Sequence, residues 1–374
     1  MTISDDKIQA DRTEGCRGDV GVNPSVVHFT QDFSPLSKPP KPLKIDELRL
    51  RAYNHGFIDG LAEESEYFLN RISYQHASGY FGLFTDKSGK IIDGASMRTL
   101  HRIILFDRKF QALFMEYIGL FELQFRAQYS YRLSMKKGAF AHRDSKNFKE
   151  KKYFKHFLFT YEKEIKRQIK NKNKTVIEAY KKYGDVPTWI AVELMSFGTL
   201  SMLYSNTRSR DVRDGVAESF GVTQEELTSW ARSISGIRNT CAHFGQICGK
   251  NLVSRPKKIH GAEGDNGNPF YVALVLLKLL NTKKFFRDDT SLSYGALMLR
   301  DIFKLFNEFE DILELARIPH DWRDLLSQES VLGIEVRRVK HNGRFRRWAT
   351  NKLGLSHVYV TLEDNKGNRT LIDN

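Results

Sequence analysis

Residues 96–135 read SMRTLHRIILFDRKFQALFMEYIGLFELQFRAQYSYRLSM. Ile103, Phe106, Phe110, Leu113, Tyr117, Leu120 and Phe121 recur at steps of mostly three and four. That spacing follows the ~3.6-residue turn of an α-helix and lines one of its faces. A strand would alternate with period two, and this stretch does not. The run therefore predicts one long buried helix, ended by Gly138, and points to an all-α fold.

Helical patterning continues on both sides of it. Ile45 to His55 reads as a short helix stopped by Gly56, and Glu63 to Ser73 as a second. Pro187 opens another, since proline suits the first helical position; Trp189, Val192, Leu194, Phe197 and Leu200 give it an apolar face. Thr223 and Glu226 stand three apart and form a capping box, each side chain serving the other's free backbone N–H. The helix they start carries Leu227, Trp230, Ile234, Ile237 and Cys241 on one stripe. Lys250 to Asn268 is a loop, followed by helices at about Phe270 to Leu280 and Leu292 to Ala316. The first of these is the longest apolar run, yet Lys278 interrupts it and it is far shorter than the ~20 residues that span a bilayer.

The ends differ in character. Ser37 to Pro42 is a proline-rich linker, so residues 1–40 form an arm ahead of a helical domain at 41–329. Residues 330–374 read as a small basic β appendage. Asn342-Gly343 signals a hairpin turn, and Val358 to Leu362 pairs with Thr370 to Ile372 around Asn365-Lys366-Gly367.

Charge narrows the partners. Lys and Arg number 59 against 45 Asp and Glu, a net +14. That excess favours a polyanion, with nucleic acid foremost and an anionic membrane surface as the rival; a merely basic surface is the plain alternative. The three cysteines, Cys16, Cys241 and Cys248, make no disulfide framework and fit a reducing cytosol. Residues 1–19 are polar and lack the apolar core of a signal peptide. A cytoplasmic protein without a membrane partner is expected. No glycine-rich phosphate cradle supports nucleotide hydrolysis.

Arg238-Asn239-Thr240-Cys241-Ala242-His243 closes the capped helix. Cleaving RNA without a metal needs a proton acceptor for the 2′-hydroxyl and a cation for the phosphate. Histidine suits the first because its ordinary pKa of ~6.5 lies near working pH. Arginine suits the second through paired charge-assisted hydrogen bonds. Asn239 could orient the imidazole or bind a phosphate oxygen. On an ideal helix, positions five apart diverge by ~140°, so Arg238 and His243 of one chain meet poorly. Either the helix loosens near His243 or two copies combine their residues, and the second is favoured. The plain reading is a surface arginine and a histidine capping carbonyls at a helix end.

Residues 145–174 interleave lysines with Phe148, Tyr153, Phe154, Phe157, Phe159 and Tyr161. Lys151, Lys152, Lys155 and Arg167 are candidate RNA contacts there, with aromatic rings stacking on unpaired bases; a solvated helix face over core aromatics is the equal alternative. Glu122 and Arg126 lie one turn apart, as ion pairs do, and Arg126 is a further RNA-contact candidate if it lies near the motif. Cys241, His243 and Cys248 fit no four-ligand zinc pattern, even with His260, so no metal and no other cofactor is expected.

Several blocks together resemble the Abi-like (abortive-infection) family. They are Arg71-Ile72-Ser73-Tyr74 with Ser78-Gly79-Tyr80, then Phe106-Asp107-Arg108-Lys109, then Glu122 with Arg126. Pro187-Thr188-Trp189, Glu193-Leu194, Ser196 to Ser201 with Leu203-Tyr204, and Ile237 to His243 follow in order. Arg238-Asn239-x-x-x-His243 also resembles the signature of HEPN ribonucleases. The resemblance implies a HEPN-like helical bundle, homodimerisation, RNA cleavage to 2′,3′-cyclic phosphate and 5′-hydroxyl ends, and a role in phage defence or toxin–antitoxin control. Family members often carry a second histidine where this chain has Phe244. A protein that holds a specific structured non-coding RNA, cleaving weakly or under its control, is the other expectation.

Overall fold

A computed structural model describes residues 41–281 and 293–332, and the backbone of 336–338, 359–363 and 369–373. Its helices run in chain order α1 (Ile45–Asn54), α2 (Glu63–Leu69), α3 (Tyr74–Ser78), α4 (Met97–Lys137), α5 (Lys151–Lys170), α6 (Lys174–Tyr183) and α7 (Thr188–Leu194). They continue with α8 (Phe197–Asn206), α9 (Arg210–Glu218), α10 (Gln224–Ala242), α11 (Phe270–Leu280), α12 (Tyr294–Glu308), α13 (Trp322–Leu326) and α14 (Glu329–Leu332). The compact unit begins at Lys44.

The central element is α4, 41 residues long and therefore about 60 Å from end to end. Ser96 caps it, accepting the Thr99 N–H at 3.0 Å, and Gly138 at φ 89° ends it. Ile103, Phe106, Phe110, Leu113, Tyr117 and Phe121 are buried, with Leu120 packed at the margin. The stripe read from the sequence is thus the spine of the core. Helices α7, α9, α10, α11 and α12 lie against it. α11 is buried along nearly its whole length, as a helix apolar all round must be. Among the described residues no helix is long and apolar enough to cross a membrane.

Two boundaries differ from expectation. The helix expected over Glu63 to Ser73 is shorter: α2 ends at Leu69, and Ser73 instead caps the next helix, α3, by accepting the His76 N–H at 3.2 Å. The helix expected to reach Ala316 stops at Glu308, and a 3₁₀ turn at Glu310–Ile312 follows.

Three short strands, β1 (Val336–Arg338), β2 (Tyr359–Glu363) and β3 (Arg369–Asp373), pair antiparallel in that order. Val360 faces Ile372 in the β2–β3 register, and Val336 faces Leu362 in β1–β2. The β2–β3 pair matches the strand pair expected from the sequence. The Asn342-Gly343 turn lies outside the described residues.

Candidate functional site

The capping box at the start of α10 is formed: Thr223 N–H donates to Glu226 Oε2 at 2.9 Å, and Thr223 Oγ1 accepts the Glu226 N–H at 3.2 Å. Leu227, Trp230, Ile234, Ile237 and Cys241 are buried, against α4, α8, α9 and α11. This packing leaves Arg232, Gly236, Asn239 and His243 exposed. At ~100° per residue these four positions fall within one narrow arc of the helix.

α10 remains regular to its last turn, where His243 N–H donates to Asn239 O at 3.1 Å. It closes with Phe244 N–H on Cys241 O at 3.1 Å and Gly245 N–H on Thr240 O at 2.8 Å, the two bonds of a Schellman end. The left-handed position of that motif usually falls to glycine, yet Phe244 occupies it at φ 56°. A bulky residue there costs about 1–2 kcal/mol. Phe244 is 64% exposed, and its ring lies under the Arg108 guanidinium at 4.3 Å.

The loop leaving α10 is anchored to α4. Asp107 is fully buried. Its carboxylate accepts the Tyr80 hydroxyl at 2.6 Å, Gln111 Nε2 at 3.0 Å, and the N–H groups of Ile247 and Cys248 at 3.2 and 3.0 Å. Burial first, and then the Asp107 charge, push the Tyr80 hydroxyl far above its ordinary pKa, so it remains a donor. Gln111 Nε2 also donates to Gly245 O at 2.8 Å. The Ser78-Gly79-Tyr80 and Phe106-Asp107-Arg108-Lys109 blocks, distant in sequence, therefore build the end of the motif helix.

Glu122 reaches the motif from the middle of α4. Its Oε2 lies 3.9 Å from Arg238 Nε, and the Arg238 side chain is 34% exposed. Its other oxygen pairs with Arg126, whose Nε donates to it at 3.1 Å. Arg126 departs from its expected role as an RNA contact. It is 8% exposed, and its guanidinium also serves Val192 O and Met195 O, the latter at 2.8 Å. The last carbonyls of α7 need donors, and Arg126 supplies them. It positions Glu122, which in turn faces Arg238.

The remaining blocks lie behind the same helix. Phe197 packs edge-on to Phe121 and Phe125 at 5.9 and 5.8 Å. Gly198 lets α8 approach α10 closely: an added Cβ would sit 3.2 Å from Ser235 Oγ. Beside α10 is a cavity of ≈ 370 Å³. Its wall includes Arg232, Gly236, Asn239, Thr240, Gln246 and Lys250. Arg238 and His243 lie outside that wall.

On α5, Phe154, Phe157, Tyr161 and Ile165 form a buried stripe. Lys151, Lys152 and Lys155 are exposed, as are Tyr153 and Phe159. Arg167 is exposed but bonded through two nitrogens to Glu164, both at 2.7 Å. Most of the aromatic rings are therefore core, while the lysines face solvent. Cys241 and Cys248 are free buried thiols. Burial and the Asp107 charge raise both, Cys241 to about 12. Among the described residues no group of three or more His, Cys, Asp and Glu side chains could hold a metal ion.

Fold and site together define an all-α protein whose motif helix ends in an exposed Asn239 and His243, with Arg238 held from α4. Residues 67–248 match the family model for Abi-like proteins. The matched segment runs from α2 to Cys248 and contains the anchored loop that follows the motif. No curated protein and no solved structure matches the chain.

The sequence reading did not find the link from Glu122 to Arg238, the Asp107 anchor, or the place of Arg232 in the cavity wall. Glu122 was visible only as the partner of Arg126. Arg232 carried a usable signal: it lies seven residues before Asn239, close to two full turns.

Proposed function

We propose that this protein is a metal-independent endoribonuclease of HEPN type that acts in abortive infection or a toxin–antitoxin system in the cytoplasm. The observation that carries the proposal is the exposed Asn239 and His243 on one face of α10, with Arg238 beside Glu122 on the flank. The Abi-like match over 67–248 supports a defence role, and the net +14 supports RNA as the partner.

In this reading the 2′-oxygen of a ribose attacks the adjacent phosphorus while a His243 imidazole takes its proton. Arg238 holds the extra charge on the phosphoryl oxygens through paired N–H donors. The P–O bond to the 5′-oxygen breaks, and that oxygen takes up a proton, leaving 2′,3′-cyclic phosphate and 5′-hydroxyl ends. Because α10 is regular through Ala242, Arg238 and His243 diverge by ~140° in one chain. Two copies related by a twofold axis would bring Arg238 of one toward His243 of its partner.

The purified protein is expected to cleave single-stranded RNA in the presence of EDTA. His243→Ala should abolish cleavage while leaving the helical circular-dichroism spectrum unchanged. Cleavage that survives this substitution refutes the assignment.

A second reading is favoured by the exposed Lys151, Lys152 and Lys155 on α5: a protein that holds a structured non-coding RNA and cleaves weakly. Co-purification of one RNA of defined length would support it.

A further inference from the structure

We infer that single-stranded RNA runs along the exposed face of α10, with Arg232 binding its backbone and Gly236 leaving room for it to pass close to the helix. This rests on the ribonuclease reading for the position of the cleaved linkage, but its binding component stands by itself.

Two neighbouring cavities flank this face. The first, beside Asn239 and Thr240, has a volume of ≈ 370 Å³. The second, of ≈ 500 Å³, lies toward the start of the helix. They share Arg232 and Ser254 in their walls, so they adjoin one another at Arg232. Arg232 to His243 spans about 16 Å along the helix axis, a length that a few extended nucleotides cover.

The charge of the walls selects the ligand. Lys149, Arg213, Arg232, Lys250 and Arg255 face the single acid Glu225 among the described residues. Arg213 is buried and committed to the Thr207 and Arg208 carbonyls and to Gln224. Arg232, Lys250 and Arg255 are exposed. The exposed side-chain amides of Asn239 and Asn251 line the same wall. Cations with interspersed neutral donors and acceptors suit a phosphodiester chain and its riboses.

Gly236 supplies the independent observation. Glycine is among the poorest helix formers, yet it occupies an exposed position six residues before the end of a 19-residue helix. A Cβ added there would meet nothing within 4 Å. Packing within the chain therefore gives no reason for the missing side chain, whereas the close approach of a ligand does. Gly198, on the far wall, differs because its own crowding against Ser235 explains it.

The test measures binding of a short fluorescein-labelled single-stranded RNA in the His243→Ala background, where cleavage cannot interfere. Gly236→Gln should raise the melting temperature, because glutamine favours helix, while weakening RNA binding about tenfold by obstructing the path of the strand. Arg232→Gln should weaken binding and lower the slope of log K against log salt by about one, the signature of one lost phosphate contact. Wild-type-like affinity and salt slope in both variants overturn the inference, as does a parent protein that does not bind the RNA. If light scattering instead shows the variants altering self-association while RNA affinity holds, the face is a contact between copies and the inference fails. The two readings fail separately. Wild-type protein that binds RNA in the Arg232- and Gly236-dependent manner but never cleaves leaves the binding face and removes the nuclease. His243-dependent cleavage with an unchanged KM in both variants does the reverse.

Discussion

A single carboxylate holds the motif end in place. Asp107 accepts four hydrogen bonds without solvent access, two of them from the backbone of the loop that leaves α10. Removing it leaves buried donors without acceptors, which costs about 1–3 kcal/mol for each fully orphaned group. Asp107→Ala is therefore expected to lose on the order of 3 kcal/mol in urea unfolding. Amide exchange at Ile247 and Cys248 should quicken more than exchange in the middle of α4. Equal stability of the two proteins would show that the anchor is dispensable. Arg126 teaches a related point about single residues. In the sequence it is a basic side chain beside a candidate site; in the fold its donors are taken by Glu122 and two carbonyls. A charge counted toward RNA binding has to be both exposed and unspent, and Lys151, Lys152 and Lys155 are exposed where Arg126 is not.

Elements joined through one buried group respond to pH as a unit. The loop after α4 carries His142, fully buried, with Nδ1 3.0 Å from Thr188 Oγ1 at the start of α7. Thr188 gives its own proton to Ala139 O at 2.8 Å, so the imidazole donates from Nδ1. Its Nε2 has no hydrogen-bond partner. Burial, aided by the Arg143 charge and opposed by Asp185, pushes its pKa down to about 4 from 6.5. The unfolded chain then binds a proton as pH falls below 6.5, while the folded chain binds one only near 4. Stability is complete above the higher value and declines through that window, by about 3 kcal/mol in all. His142→Gln should flatten this decline between pH 7 and pH 4.5 in urea titrations; an unchanged decline assigns it to other groups. At this scale the sequence was readable wherever periodicity governs. The α4 stripe, the capping box of α10 and the apolar α11 follow from local spacing. The break between α2 and α3 did not, because a serine inside a helical pattern reads alike whether it caps or continues. Thr188 and His142 likewise lie 46 positions apart, beyond any local pattern.

For the molecule as a whole, the question is how many chains make one site. Arg238, Asn239 and His243 stood out as candidates through their order and the blocks around them, but spacing alone could not bring arginine and imidazole onto one phosphate. The regular end of α10 sharpens that constraint: the Schellman bonds at Phe244 and Gly245 leave no loosened turn before His243. Asn239 and His243 share a face, while Arg238 lies off it beside Glu122. If the reactive pair is assembled across a twofold axis, Arg238→Ala and His243→Ala should each be inactive alone. Mixed and allowed to re-associate, about half of the dimers would carry one of each chain, and those retain an intact arginine on one copy facing an intact histidine on the other. Cleavage should then reappear in the mixture and grow with the time allowed for exchange. A mixture as inert as its components, with mixed dimers verified by mass spectrometry, would place both groups within one chain and require α10 to distort when it binds RNA.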